Sequence, residues 1–516
     1  MTLRRAVLLP QRQFRLSRRL FYLMTHKKGS AGLAHFHLPR PGGLRFPRGL
    51  PTLFGIGSMR LNALVMLTVL LTLPASAEWN EKVLHSFQGG MNDGSVPAGG
   101  VIFDSQGNLY GATTDGGPAS CKPIGGACGT VFQLSPPTEK GGAWTETVIY
   151  RFQGKGSNDG SVPNSGLIRD AAGNLYGITA YGGTGDCVLL GVPAGCGTVY
   201  ELSPSKQKGE AWKETILYSF PTSKQGYLPN GNLVFDWAGN LYGATTFGGD
   251  KGTTCDSYYG GQCGVVFELS PPTKKGGKWR ERVLHNFAGG PGGTKGNDGA
   301  EPSGGLVFDS KGALYGTTYY GGNEAGHCDS GTAGIGCGTV FNLTPPAGKG
   351  VAWTEKVILR FNVQDGTNPA AGVVFDRECD LYGTTVAGGG GNSPSGTVFK
   401  LTQHGTGSWT ERVLYSFQFG DDGANPLAGI VLGPEGKAYG TASVGGANGG
   451  GTLFRLKRTS TGWAFTVLYS FTGTDNLPVG NLVLDATGNL YGTTEEGGNT
   501  QSCAPYGCGA VFEASP

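Results

Sequence analysis

The phrase Gly-Asn-Leu-Tyr-Gly-Thr-Thr recurs, with variations, seven times in this chain, at residues 107–113, 173–179, 239–245, 312–318, 379–385, 436–442 and 488–494. Each copy sits in a longer unit opened by a tryptophan: Trp79, Trp144, Trp212, Trp279, Trp353, Trp409 and Trp463. A tandem repeat buries the apolar face of one unit only against its neighbours, so the architecture must be an array or a ring. A residue present in every copy then belongs to the scaffold. Function is to be sought where the copies differ.

The third unit shows what one repeat is made of. Residues 212–220 are rich in β-formers and roughly alternate polar with apolar. A loop containing Gly and Pro follows, then an apolar run at 232–236 and a turn at 237–240, in which Gly239 supplies φ > 0. A second run covers 241–246 and a third 264–269. Four short strands separated by turn residues, with no helical period, repeated seven times, predict an all-β, seven-bladed propeller with four strands per blade. The 95 glycines fall at recurring turn positions, so they reflect tight turns rather than disorder. The repeat begins with a Trp strand (79–87) and ends with a Gly-x-Val-Phe strand (509–514). Pairing of these two would close the ring and remove the unpaired sheet edges at the seam.

Three phrases recur in fixed order over nearly all of 79–516: Trp-Thr-Glu-x-Val-Leu-Tyr-Ser-Phe, Asn-Leu-Tyr-Gly-Thr-Thr-x-x-Gly-Gly and Gly-Thr-Val-Phe-x-Leu. This unit resembles the GloVer (Gloeo_Verruco) tandem repeat of secreted bacterial proteins. The resemblance implies export, often with a variable C-terminal anchor, for which this sequence offers no apolar tail. It implies no activity at any residue. More loosely, Asp-x-x-Gly-Asn-Leu-Tyr is similar to the repeat of streptogramin lyases, which are seven-bladed propellers. Their catalytic histidine has no matching position here.

Residues 1–77 hold twelve Lys and Arg and no Asp or Glu. Met59-Arg60, the apolar run 61–73 and Ala75-Ser76-Ala77 read as a secretory signal peptide over 59–77. The run is shorter than the ~20 residues of a membrane span. Residues 1–58 are a basic segment upstream of a preferred start at Met59, and 78–516 is the mature propeller. Without 1–77 the chain keeps 28 basic against 37 acidic residues, which argues against nucleic acid or an anionic membrane as partner. Ten of eleven cysteines form pairs at one place in the repeat: Cys121/Cys128, Cys187/Cys196, Cys255/Cys263, Cys328/Cys337 and Cys503/Cys508. Units five and six lack both members together, as disulfide partners would. An oxidising compartment follows. No histidine joins the pairs and no C-x-x-C occurs, so no zinc site, no other metal and no cofactor is expected. Cys379 is left without a partner.

The repeated Asp (104, 170, 236, 309, 376, 485) reads as an Asx-turn acceptor and the repeated Tyr as packing between blades. The Asn-Asp-Gly loops at 92–94, 158–160 and 297–299 lack the further carboxylates of a calcium site and read as turns. His85 and His285 stand where other units carry Tyr, hence scaffold.

The position before Gly-Gly varies: Asp115, Tyr181, Phe247, Tyr320, Ala387, Val444 and Glu496. Units two to four therefore offer an aromatic arc, joined by Tyr258, Tyr259 and Tyr319. Trp237, in a turn, is a further ligand candidate. Units seven and one offer an acidic arc of Glu495, Glu496 and Asp115. Flat rings on an exported propeller point to a binding module for glycan or a protein partner. The alternatives are a polysaccharide hydrolase or lyase using Glu495, Glu496, Asp115 and His327, and a structural cell-envelope repeat protein without a ligand. A monomer is the simplest expectation for a closed ring.

Overall fold

The alternating Trp segment of each unit completes the sheet begun by the three runs before it. In the third blade, Tyr227–Phe235 pairs with Leu241–Phe247, which pairs with Val265–Ser270, which pairs with Arg280–Asn286, all antiparallel. The computed structural model describes residues 79–118, 121, 126–189, 191–205, 211–249, 262–289, 297–322, 328, 336–348, 351–405, 407–472, 475–498 and 501–516. Seven such sheets follow one another along the chain, and no α-helix occurs among the described residues. The last sheet, with Leu490–Gly497 and Ala510–Ser515, takes its outer strand from the other end of the repeat: Asn80–Ser86 pairs with Ala510–Ser515, from Asn80 opposite Ser515 to Ser86 opposite Ala510. The ring therefore closes as the sequence predicts. Blades are numbered 1 to 7 by the copy of the Leu-Tyr-Gly strand they contain.

Glycine packs the axis. A Cβ on Gly99 of blade 1 would overlap the backbone of Ser165 and Gly166 in blade 2, and one on Gly100 would overlap Asn481 of blade 7. The same holds for Gly231 against Gly304, Gly304 against Gly372, and Gly480 against Gly99 and Gly100. At these joints the first strands meet backbone to backbone, at a separation that only a residue without a side chain allows, whereas Gly166 and Gly429 donate their N–H groups to the Asn232 and Asn481 side chains.

Between blades the core repeats one contact seven times. The Phe that ends each Trp strand meets, edge to face, the aromatic ring of the third strand of the next blade. The pairs are Phe87–Phe132, Phe152–Tyr200, Phe220–Phe267, Phe287–Phe341, Phe361–Phe399, Phe417–Phe454 and Phe471–Phe512, at centroid distances of 5.0 to 5.3 Å. All these rings are buried. Such pairs add ~0.5–1.5 kcal/mol each beyond the area they bury.

A second sevenfold contact lies nearer the axis. Val96, Val162, Leu228, Glu301, Asn368, Asn425 and Leu477 each precede a proline and hold φ between 54° and 60°. Each donates its N–H to a carbonyl of the preceding blade: Cys508, Cys128, Cys196, Cys263, Cys337, Ser395 and Gly450 in turn, at 2.7 to 3.2 Å. Left-handed backbone is costly for residues other than glycine, most of all for valine, so the neighbouring blade must hold it in place.

Candidate functional site

The two ends of each blade differ in chemistry. At the turn end, Asp104 accepts from the N–H groups of Gln106 and Asn108 and from the side chains of Asn108 and Tyr110. Burial opposes its charge, yet these donors hold its carboxyl below the usual range. Asp170, Asp236, Asp309 and Asp485 repeat the arrangement and receive the hydroxyls of Tyr176, Tyr242, Tyr315 and Tyr491. Gly239 has φ 82°, and Cys379, which replaces the glycine, φ 65°. Cys379 is exposed and in no disulfide. Trp237 is 98% exposed, with no neighbouring blade covering it. It lies at the opposite end of its sheet from Phe247, so it is not brought together with the aromatic arc.

At the loop end four disulfides are formed, Cys121–Cys128, Cys187–Cys196, Cys328–Cys337 and Cys503–Cys508, with Cα separations of 5.0 to 5.2 Å. Cys263 is also disulfide-bonded; its expected partner Cys255, together with Tyr258, Tyr259 and His327, lies outside the described residues. Tyr181, Tyr319 and Tyr320 are half-buried, and the last two rings meet edge to face at 4.8 Å. Phe247 is buried, with Tyr227 5.5 Å away on the neighbouring strand of the same blade. Asp115, Glu495 and Glu496 are half-buried. Asp115 lies opposite Ser95 and accepts from Gly116 N–H at 2.9 Å; Glu496 lies opposite Asn476. The strands Gly94–Pro97 and Leu490–Gly497 touch across the seam.

A set of ionisable residues lies between the blades, and sequence reasoning did not single it out. Every Trp strand but the last carries Trp-x-Glu: Glu81, Glu146, Glu214, Glu281, Glu355 and Glu411. One carboxylate oxygen of each is buried without a hydrogen-bond partner among the described residues. Burial, and at Glu214 the neighbouring Asp159, pushes that carboxyl up to about 8; burial pushes the other five up to about 7. Glu81, Glu146, Glu214 and Glu355 face a Tyr or His on the outer strand of the preceding blade and an Asp from the loop that follows it, whereas Glu281 meets Tyr218 alone and Glu411 meets Asp365. Tyr150 donates to Asp159 at 2.9 Å, Tyr415 to Asp422 at 3.0 Å, and His285 Nε2 lies 3.0 Å from Asp298. The Asp also fixes the loop, as where Asp159 accepts from Gln153 N–H at 2.7 Å. In the last Trp strand Phe465 replaces Glu and stacks on Tyr415, at 3.7 Å between centroids. The one signal in the sequence was the recurrence of a glutamate two positions after six of the seven Trp residues that open the units.

The Gloeobacter/Verrucomicrobia repeat model matches residues 70–328 and 322–516. The chain belongs to this family. No curated protein matches this family member. Among solved structures it is similar to a Carbohydrate-Active Enzymes Family AA12 protein of Trichoderma reesei, at 13% identity over 86% of this chain and 96% of that one, with a TM-score of 0.37. A putative 6-phosphogluconolactonase of Bacteroides fragilis matches at 16% identity over 81% and 88%, TM-score 0.41. A putative oxidoreductase (glucose dehydrogenase) of Thermus thermophilus matches at 16% over 85% and 100%, TM-score 0.37. No helix of the described residues is long and apolar enough to cross a membrane, and the disulfides fit an extracellular or periplasmic protein.

Proposed function

We propose that this repeat protein is exported, with cleavage after Ala77, and works as a glycan-binding module through the aromatic arc on its loop face. The observation that carries the reading is the half-buried state of Tyr181 in blade 2 and of Tyr319 and Tyr320 in blade 4. Phe247, between them in blade order, is buried and supports its blade. A partly open ring offers an apolar platform to the CH face of a sugar. Blades 5 and 6 carry Ala387 and Val444 at this position, so the face has a direction around the ring.

Affinity electrophoresis against a panel of polysaccharides tests the reading. Retardation by one glycan, lost in Tyr181→Ala with Tyr320→Ala at unchanged melting temperature, is the expected result. Equal retardation of wild type and variant overturns it. Release of reducing or unsaturated ends would instead favour a hydrolase or lyase and direct substitution to Glu495, Glu496 and Asp115. With no retardation by any glycan, a protein partner or a structural role takes precedence.

A further inference from the structure

The joint between the closing strand and blade 1 departs from the others. Where Tyr150 and Tyr415 reach a carboxylate through their hydroxyls, this joint has His85. Its Nε2 stops 3.6 Å from Asp93 Oδ2 and is buried with no hydrogen-bond partner among the described residues. The corresponding His285 does close on Asp298, at 3.0 Å. Glu146, from the outer strand of blade 1, adds a buried and unpartnered Oε1. One donor atom from each of His85, Asp93 and Glu146 lies within 4.8 Å of the other two.

We propose that His85 Nε2, Asp93 and Glu146 bind a divalent transition metal ion, for which Zn²⁺ is the probe, and that the ion fastens the closing strand to blade 1. One imidazole nitrogen and two carboxylates form a donor set of borderline softness, suited to Zn²⁺. Donors at ~2.0–2.2 Å require the His85 and Glu146 side chains to close on the Asp93 carboxylate, and a water would complete four-coordination. Calcium prefers six to eight oxygen donors and has no use for the imidazole. The surroundings hold the ligands in place. Asp93 accepts from Gln88 N–H and Gly94 N–H, each at 2.6 Å, and the His85 ring meets Phe87 edge to face at 4.8 Å. The ion would also relieve two electrostatic burdens, the unpartnered imidazole nitrogen and two carboxylates crowded in a half-buried joint.

The repeat supplies variants that keep the joint intact. His85→Tyr installs the residue that other joints carry at this position, and His285→Tyr does the same at the joint of blades 3 and 4. The full chain, stripped with chelator and its disulfides intact, is titrated with Zn²⁺ by calorimetry and melted with and without the metal. We expect one equivalent bound and a rise in melting temperature. Both should be unchanged in His285→Tyr and weakened at least ~100-fold in His85→Tyr and Glu146→Gln, since loss of an outer-shell partner alone costs ~10–100-fold. Zn²⁺ binding of equal strength in folded His85→Tyr, or no stoichiometric binding by the wild type, overturns the proposal.

Discussion

Blades 5 and 6 lack the cysteine pairs, yet their joints are built like those of the stapled blades. Ser395 O and Gly450 O receive the N–H of Asn425 and Leu477, as Cys196 O receives that of Leu228. Phe417 and Phe471 meet the next blade as Phe220 does. Only the loop above is held differently. In blade 5 the Gln418 side chain accepts from Asn392 N–H and donates to Gly390 O, at 3.0 and 2.7 Å. In blade 6 Asn448 donates to Ser470 O at 3.0 Å. The disulfide is thus an attachment of the loop face, and the ring is held by contacts common to all blades.

Four measurements press on this contrast. The largest effect belongs at the axis, where a side chain on Gly304 would meet the backbone of Ala371 and Gly372. Gly304→Val is expected to cost more than ~4–5 kcal/mol and to abolish recovery of folded protein; a well-folded variant would show that the first strands can separate. Next comes pH. Away from the His85 joint, Glu81, Glu214, Glu281, Glu355 and Glu411 have folded-state values raised from 4.5 to about 7 or 8 by burial. A carboxyl raised on folding contributes stability that is present below pH 4.5 and lost as pH rises through 7. The melting temperature should therefore fall between pH 5 and pH 8, and Glu281→Gln should melt higher than wild type at pH 8. A flat profile would mean these carboxyls reach water.

Smaller still is the staple. Cys187 and Cys196 close a nine-residue separation, so replacing both by Ser should cost at most ~2–3 kcal/mol. The loss should appear as faster amide exchange in that loop, with exchange in Thr198–Ser203 little changed. A collapse of that strand's protection would make the disulfide part of the ring. Gln418→Ala tests the substitute for the staple in blade 5. The expected loss is ~0.5–1.5 kcal/mol, read as a small drop in denaturation midpoint; no change would leave the loop held by backbone bonds alone.

The blades were legible because three phrases repeat in order and the terminal strands complement each other. Turn glycines were legible for the same reason, since Gly107, Gly173, Gly239, Gly312 and Gly488 all show positive φ. The left-handed residues before proline were not. Val96, Glu301 and Asn425 share no side-chain chemistry, and what they have in common is a backbone state imposed by the neighbouring blade. The joint carboxylates were missed for a related reason. A glutamate in an alternating strand reads as solvent-facing, and only the arrival of the next blade turns that face inward. Of the candidate site, the sequence separated variable from repeated positions. It held nothing to tell Tyr181, which stays half-buried, from Phe247, which is buried beside the Tyr227 ring.

The contact of glycine backbones along the axis limits how this gene can change. Tandem repeats gain and lose copies readily by recombination. Here an eighth copy would push the first strands apart and leave a hole lined with glycine, and a sixfold ring would drive the same backbones into one another. Copy number is therefore tied to the diameter of the hub.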